Sequence, residues 1–178
     1  MGAMQELLAM ETFPATLETR TGFRFLIRPV EESDAQPLAH FFASVSDDDR
    51  RFRFLSAAPT VSSAQLEEMT HCDHHLRETF LAFAPDGEAI IAAATLGADA
   101  SLAIGEVAIA ISAGFKGRGI GWTLLDFVAG QAKARGVKRL QSIESRQNHA
   151  AIELEREQGF EARSLEGDSS LMLLERTL

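Results

Sequence analysis

Apolar and polar positions alternate from Gly22 to Pro29, with Phe23, Phe25 and Ile27 on one side, which predicts a strand that stops before the proline. The period then changes. Leu38, Phe41, Phe42 and Val45 recur at helical spacing behind Ser33, which has Gln36 three residues on and Pro37 in the first turns, so a capped amphipathic helix is expected. Asp47-Asp48-Asp49 opens a short helical stretch through Arg53, and Ser62 or Ser63 caps a further helix to about Met69. Apolar runs at 76–84, 88–96 and 104–112 follow, the first two separated by Asp86-Gly87, a hairpin signal; three adjacent antiparallel strands are the simplest reading. From Arg118 onward Trp122, Leu124, Leu125, Val128, Ala129 and Ala132 return to helical spacing until Gly136. A strand over 137–143, a helix over 148–158 stopped by Gly159, and strands near 160–165 and 170–176 complete a mixed α+β domain. No stretch has the Pro/Gly/Ser bias of a linker, so one domain is expected over 20–178, preceded by an N-terminal extension over 1–19.

Charge narrows the function. The net charge of −9 lies wholly in the first 100 residues, which hold seven arginines, no lysine and sixteen carboxylates. No basic stripe could displace counterions from phosphates, so nucleic acid is excluded as a partner. The single cysteine, Cys72, fits a reducing compartment, and no apolar stretch in the first twenty residues reaches the length of a membrane span or signal core; cytoplasm is the default expectation.

The stretch most telling about chemistry is the run from Ile109 to Leu125, where an apolar strand passes through glycines at 117, 119 and 121 into a helix. Backbone N–H groups at such a helix start point outward together and can clasp a phosphate. A P-loop would need Lys-Ser/Thr after the last glycine, and a dinucleotide fingerprint would need glycine where Trp122 stands, so both fail. What remains is Lys116-Gly117-Arg118-Gly119-Ile120-Gly121. This resembles the acyl-CoA loop, Gln/Arg-x-x-Gly-x-Gly/Ala, of the GNAT superfamily of N-acetyltransferases. Downstream, Asn148-x-x-Ala151-x-x-Leu154 through Gly159-Phe160 is similar to the second motif of that family, and Ile27-Arg28-Pro29, Asp34, Phe41-Phe42, Ser46 and Arg53-Phe54 look like the N-terminal part of bacterial protein-lysine acetyltransferase domains.

The resemblance implies a central, mostly antiparallel sheet of six to seven strands flanked by about four helices. It implies acetyl-CoA as cosubstrate, its pyrophosphate over Lys116, Gly117, Arg118, Gly119, Ile120 and Gly121, and its pantetheine arm along Ile109, Ala110 and Ile111. Asn148 would bond the arm or order water, or else serve as a helix N-cap. Glu106, which alternation places opposite Val107, Ile109 and Ile111, would be the base for the acceptor amine, whose pKa is about 10.4 for lysine. Where many family members carry a tyrosine acid this chain has Glu155, and it contains no tyrosine; with a thiol pKa of about 8.5, the CoA thiolate can leave and take a proton from water.

Other features have plainer readings. The His71-Cys72-Asp73-His74-His75 run is contiguous and lacks a second ligand group, so a helix end with a polar loop is expected and no metal. Arg50, Arg51 and Arg53 read as a solvated helix face against Asp47 to Asp49, although contact with a CoA phosphate is an alternative. The sequence thus points to an acetyl-CoA-dependent N-acetyltransferase, protein lysine favoured as acceptor and a small-molecule amine second. A non-catalytic acyl-CoA sensor is the rival, and a homodimer is compatible with either.

Overall fold

In the computed structural model residues 12–178 are described. Eight strands form one sheet in the order β1-β2-β3-β4-β5-β6-β8-β7: β1 (Ala15–Glu18), β2 (Arg24–Pro29), β3 (Arg77–Phe83), β4 (Ile90–Ala98), β5 (Ile104–Ile111), β6 (Arg139–Ser145), β7 (Glu161–Leu165) and β8 (Asp168–Thr177). Among the described residues five α-helices flank it: α1 (Ala35–Ala43), α2 (Asp47–Phe54), α3 (Ser63–Thr70), α4 (Ile120–Ala134) and α5 (His149–Glu157). None of them is long and apolar enough to cross a membrane. The mixed α/β, mostly antiparallel architecture is the one expected, with one strand more than the upper expectation and one helix more. The added strand, β1, falls inside the stretch read as an N-terminal extension and pairs with β2 from Ala15↔Ile27 to Glu18↔Arg24; the first eleven residues of that extension lie outside the described ones.

Because the strands carry apolar side chains on both faces, the sheet has two cores. Phe25, Ile27, Phe80, Ala92, Ala94, Leu96 and Val107 pack against Leu124, Leu125, Val128 and Ala132 of α4 on one face. Leu81, Ala93 and Ala110 pack against Leu38, Phe41, Phe42 and Met69 of α1 and α3 on the other. Alanines at 92–94 keep β4 thin enough for helices to approach from both sides.

The local starts are partly as expected. Ser62 caps α3, accepting from the Gln65 N–H at 3.2 Å while Gln65 Oε1 accepts from the Ser62 N–H at 2.9 Å. The Ser33–Gln36 box is not formed. Instead a 3-10 turn at Glu32–Asp34 precedes α1, and Asp34 accepts from the Glu31 N–H at 2.7 Å and bidentately from Arg28 of β2 at 2.8 and 2.9 Å. A buried carboxylate with a guanidinium partner outcompetes a serine cap.

Among the described residues only one strand pair is parallel, and it creates the site. β5 runs along β4 from Gly105 to Ile111, but along β6 only from Ile104 to Glu106. β6 pairs with β8 on its other edge throughout, from Arg139 to Ser145, while its pairing with β5 stops at Gln141, so beyond Glu106 the two central strands splay and residues 107–111 face an opening on that side.

Candidate active site

Two cavities meet at this splay. One, of about 460 Å³, lies beside α4 and α5 and is lined by residues 107–111, the glycine loop, Glu144, Asn148 and Glu155. The other, of about 780 Å³, lies on the face of α2 and α3 and is lined by Glu68, Asp73, Glu78, Asp99 and Glu106 among others. Arg53 and Ala108 line both and so form the wall between them.

The glycine loop forms as its residues dictate. Gly117 and Gly119 take φ of +75° and +83°, a region that L side chains resist, and Gly119 is the N-cap of α4 with no side-chain cap. The first N–H groups of α4 therefore have no side-chain acceptor from the cap and open on the cavity, the arrangement suited to an anion. The β1–β2 turn buttresses the loop: Thr21 Oγ1 donates to the Arg118 carbonyl at 2.9 Å, and a Cβ on Gly119 would stand 3.3 Å from Thr19 Cβ.

The side chains of the loop are engaged elsewhere. Lys116 pairs with Asp49 of α2, Arg118 lies over the rings of Phe115 and Phe23 at 4.7 and 5.2 Å, and Ile120 is buried in the core beneath. Ile109 and Ile111 turn toward the α4 face and Ala110 toward the α1 face. What 109–111 offer the cavity is thus largely backbone along an unpaired edge, on which an extended ligand can lie as an added strand. Gly121 sits in the first turn of α4, where a Cβ would come 3.3 Å from Ile111 Cδ1.

Glu106 is exposed and lines the larger cavity, on the face opposite Val107 as alternation requires. Arg53, in the wall, lines the same cavity and donates to Thr95 Oγ1 at 3.0 Å. Burial pulls the Arg53 guanidinium down to about 10, against the opposing pull of Glu106, Glu144 and Glu68. Of the three arginines read as a solvated helix face only Arg51 is one, half-exposed and paired with Asp48 at 3.2 Å; Arg50 pairs with Asp47 at 2.7 Å but keeps only 13% of its side chain exposed, and Arg53 belongs to the site.

Asn148 stands at the N-cap of α5, but its side chain does not cap; Nδ2 donates to Glu144 Oε2 at 3.1 Å. Seven residues on, two helical turns along the same face, Glu155 turns inward. Only 5% of it is exposed, its Oε2 accepts from Ser142 Oγ, and it is hydrogen-bonded to Glu144. Burial, then the neighbouring Glu144 charge, push Glu155 up to about 9; burial also raises Glu144, opposed by its bonds from Glu155 and Asn148 and by Arg53. Sequence reading stopped β6 at Ile143 and gave Glu144 no role; the signal was there in the period-two series Leu140, Ser142, Glu144, an apolar face turning polar at the splay.

The histidine run is a structural turn. Asp73 Oδ1 accepts from the N–H groups of His75, Leu76 and Arg77 at 2.8 to 2.9 Å, and His74 Nδ1 lies 3.0 Å from Glu78. Among the described residues no three His, Cys, Asp or Glu side chains stand together as a metal site.

A family model described as acetyltransferase (GNAT) family matches residues 41–160, about two-thirds of the chain. The acetyltransferase PA5475 of Pseudomonas aeruginosa is 27% identical over 135 residues, 75% of this chain and 73% of that protein. Among solved structures, the GNAT domain of S. lividans PAT is similar with a TM-score of 0.84 and 26% identity, over 92% of this chain and 96% of that one. A phosphinothricin acetyltransferase from Sinorhizobium meliloti, in complex with AcCoA, shares the fold with a TM-score of 0.70 at 21% identity, over 86% of this chain and 88% of that one.

Proposed function

Because this chain belongs to the acetyltransferase (GNAT) family and is an N-acetyltransferase, we propose that it transfers acetyl from acetyl-CoA to a cationic primary amine, favouring a protein lysine side chain. The observation that carries this reading is the meeting of two unlike cavities at Arg53 and Ala108. The narrower one has the uncapped helix start and free strand edge that suit a pyrophosphate and an extended pantetheine arm. The wider one is lined by five carboxylates, Glu68, Asp73, Glu78, Asp99 and Glu106, against Arg53 and Arg77, a negative field that favours an ammonium group.

In the proposed reaction the acceptor enters from the acidic side and the thioester from the other, so both meet beside Ala108. Glu106 takes the proton that an amine of pKa about 10.4 still carries at neutral pH, and the free amine attacks the carbonyl directly. A backbone N–H on the splayed edge of β5 stabilises the oxyanion. The single cysteine fits a reducing compartment and supports the cytoplasm as the place of action.

Release of CoA thiol from acetyl-CoA with lysine peptides and a panel of small amines tests this. We expect turnover with cationic acceptors, and Glu106→Gln should keep acetyl-CoA affinity while losing roughly 100-fold or more in turnover at neutral pH. Binding of acetyl-CoA with no thiol release for any acceptor would instead indicate the sensor reading, and turnover confined to anionic or neutral amines would overturn the acceptor class.

A further inference from the structure

Three groups of side chains on three elements converge where the strands splay: Glu144 and Ser142 of β6, Glu155 and Asn148 of α5, and Arg53 of α2. Two carboxyls in mutual contact cannot both be ionised at low cost, since each charge lacks water and repels the other. One proton therefore stays with the pair at neutral pH. Which oxygen holds it follows from the neighbours. Glu144 accepts from Asn148 and feels Arg53, both of which favour its anion, whereas Glu155 accepts only the Ser142 hydroxyl and is the less solvent-exposed of the two. The proton resides on Glu155, which donates it to Glu144.

This pair does not sit in a sealed core. Both carboxyls line the same cavity as the glycine loop and residues 107–111, where the thioester would lie. We propose that Glu155 and Glu144 share one proton in that cavity and that Glu155 delivers it to the sulfur of the departing CoA thiolate. The proposal rests on the acetyl-CoA reading above and extends it to the leaving-group side. At this helix position many members of the family carry a tyrosine acid, and because this chain has no tyrosine, water was the expected proton source. A neutral carboxyl supplies the same O–H from the same face.

The step balances. The amine nitrogen bonds to the acetyl carbon, the C–S bond breaks with its electron pair on sulfur, and the Glu155 proton joins that pair to give the neutral thiol. The ammonium acceptor loses two protons on becoming an amide, one to Glu106 before attack and one to water as the C–S bond breaks. Water then recharges the pair, so one proton is released per turnover. A donor held near 9 is matched to a thiol of pKa about 8.5, so the transfer is close to level in energy. Arg53 of α2 tunes the pair through Glu144, and Glu106 of β5 and Glu68 of α3 act on Arg53 from its other side. Arg20, Asp49, Lys116, Glu153 and Glu157 also line the cavity.

The test uses the full chain with Glu155→Gln and Glu144→Gln, and two independent readouts. Infrared difference spectra at neutral pH report the C=O stretch of a protonated carboxyl; the wild type should show it and E155Q should lose it. Thiol release across pH reports the role. The wild type should lose kcat as the pair ionises in the alkaline range. E155Q should bind CoA as the wild type does, fall about 10- to 100-fold in kcat and lack that alkaline limb. E144Q removes the charge that holds the proton on Glu155 and should move the limb to lower pH. A merely structural pair would instead lower melting temperature and CoA affinity together and leave the shape of the pH profile unchanged, which would overturn the proposal. So would a carboxyl band that persists in E155Q. Turnover of E155Q equal to the wild type overturns the proton donor alone and leaves the transferase reading standing, whereas a wild type that binds acetyl-CoA and releases no thiol with any amine overturns both.

Discussion

Replacing Gly117 and Gly119 separately by alanine isolates what the glycine loop requires of its backbone. At Gly117 the φ is +75° and a Cβ would meet nothing within 4 Å, so the only cost is holding an L-residue in the left-handed region, about 1–2 kcal/mol. Part of this is offset by the smaller entropy of the unfolded alanine chain, leaving about 1 kcal/mol net and a melting temperature lower by roughly 2–4 °C for a domain of this size. At Gly119 the φ is +83° and the new Cβ would stand 3.3 Å from Thr19 Cβ. Thr19 cannot retreat freely: it is buried, and the β1–β2 turn fixes it through its N–H to the Phe23 carbonyl at 2.8 Å and its carbonyl from the Gly22 N–H at 2.9 Å. Overpacking adds at least about 1 kcal/mol, so Gly119→Ala should cost about 2–3 kcal/mol and, if the loop yields, weaken CoA binding by about tenfold or more as its N–H groups diverge. Thermal unfolding and calorimetric titration with CoA measure both quantities. Adding Thr19→Gly should bring Gly119→Ala back toward the Gly117→Ala level, a coupling that a double-mutant cycle reads directly. If Gly119→Ala melts no lower than Gly117→Ala, the buttress is not what holds the loop, and if neither variant moves, positive φ is not needed there.

Two further outcomes follow from the buried carboxylates. Asp34→Asn should cost about 2–3 kcal/mol, below the full figure for a buried pair because Arg28 keeps a quarter of its side chain in water. Burial works against ionisation of Asp34, but the Arg28 bond and the Glu31 N–H outweigh it and hold its pKa below 3.8; its contribution is complete above the ordinary carboxyl value and is lost as pH falls through the lower folded one, so urea midpoints of the variant should fall less steeply in acid. Glu155 has the opposite sign. Its folded pKa is raised, so from the ordinary carboxyl range up to about 9 the folded chain binds more protons than the unfolded one and stability declines as pH rises; Glu155→Gln should flatten that slope in denaturant titrations, and an unchanged slope would mean that the proton sits elsewhere.

Where a residue's conformation or period is local, the sequence showed it. The glycines at 117 and 119 were legible because positive φ is a property of the residue itself, and β2 to β5 and α4 because their apolar periods extend over many residues. β1 was missed: Ala15–Glu18 is four residues long, and it is its pairing with β2 that makes it a strand. The Ser33 cap was misread because Arg28, in the preceding strand, captures Asp34 and resets the turn. Insertion of β8 between β6 and β7 was equally illegible, since strand order depends on contacts between distant segments. The same reason hid the site's central group. Arg53, Glu144 and Glu155 lie on three elements and looked like a solvated arginine, an unremarked acid and a missing tyrosine until the splay of β5 from β6 brought them together.

In the proposed reaction one strand serves proton transfers of opposite direction, and the splay explains how. An acid and a base in direct contact would simply exchange their proton, so a reaction that needs both must keep them apart while holding each near the reacting atoms. β5 meets this requirement by its pleat. Glu106 points to the wide cavity, in water and among carboxylates contributed by the acidic first hundred residues, an environment suited to a charged base awaiting an ammonium ion. The Glu144–Glu155 pair lies on the other side of the wall, enclosed by Ser142 and Asn148, where burial keeps a carboxyl neutral. Arg53 stands between the two. By favouring the anion of Glu144 it keeps the shared proton on Glu155 in the proposed reaction, while Glu106 acts on the same guanidinium from the other cavity. In the proposed reaction, then, the separation of base from acid does not depend on a tyrosine. It depends on which face of β5 a carboxylate occupies and on one arginine held in the gap.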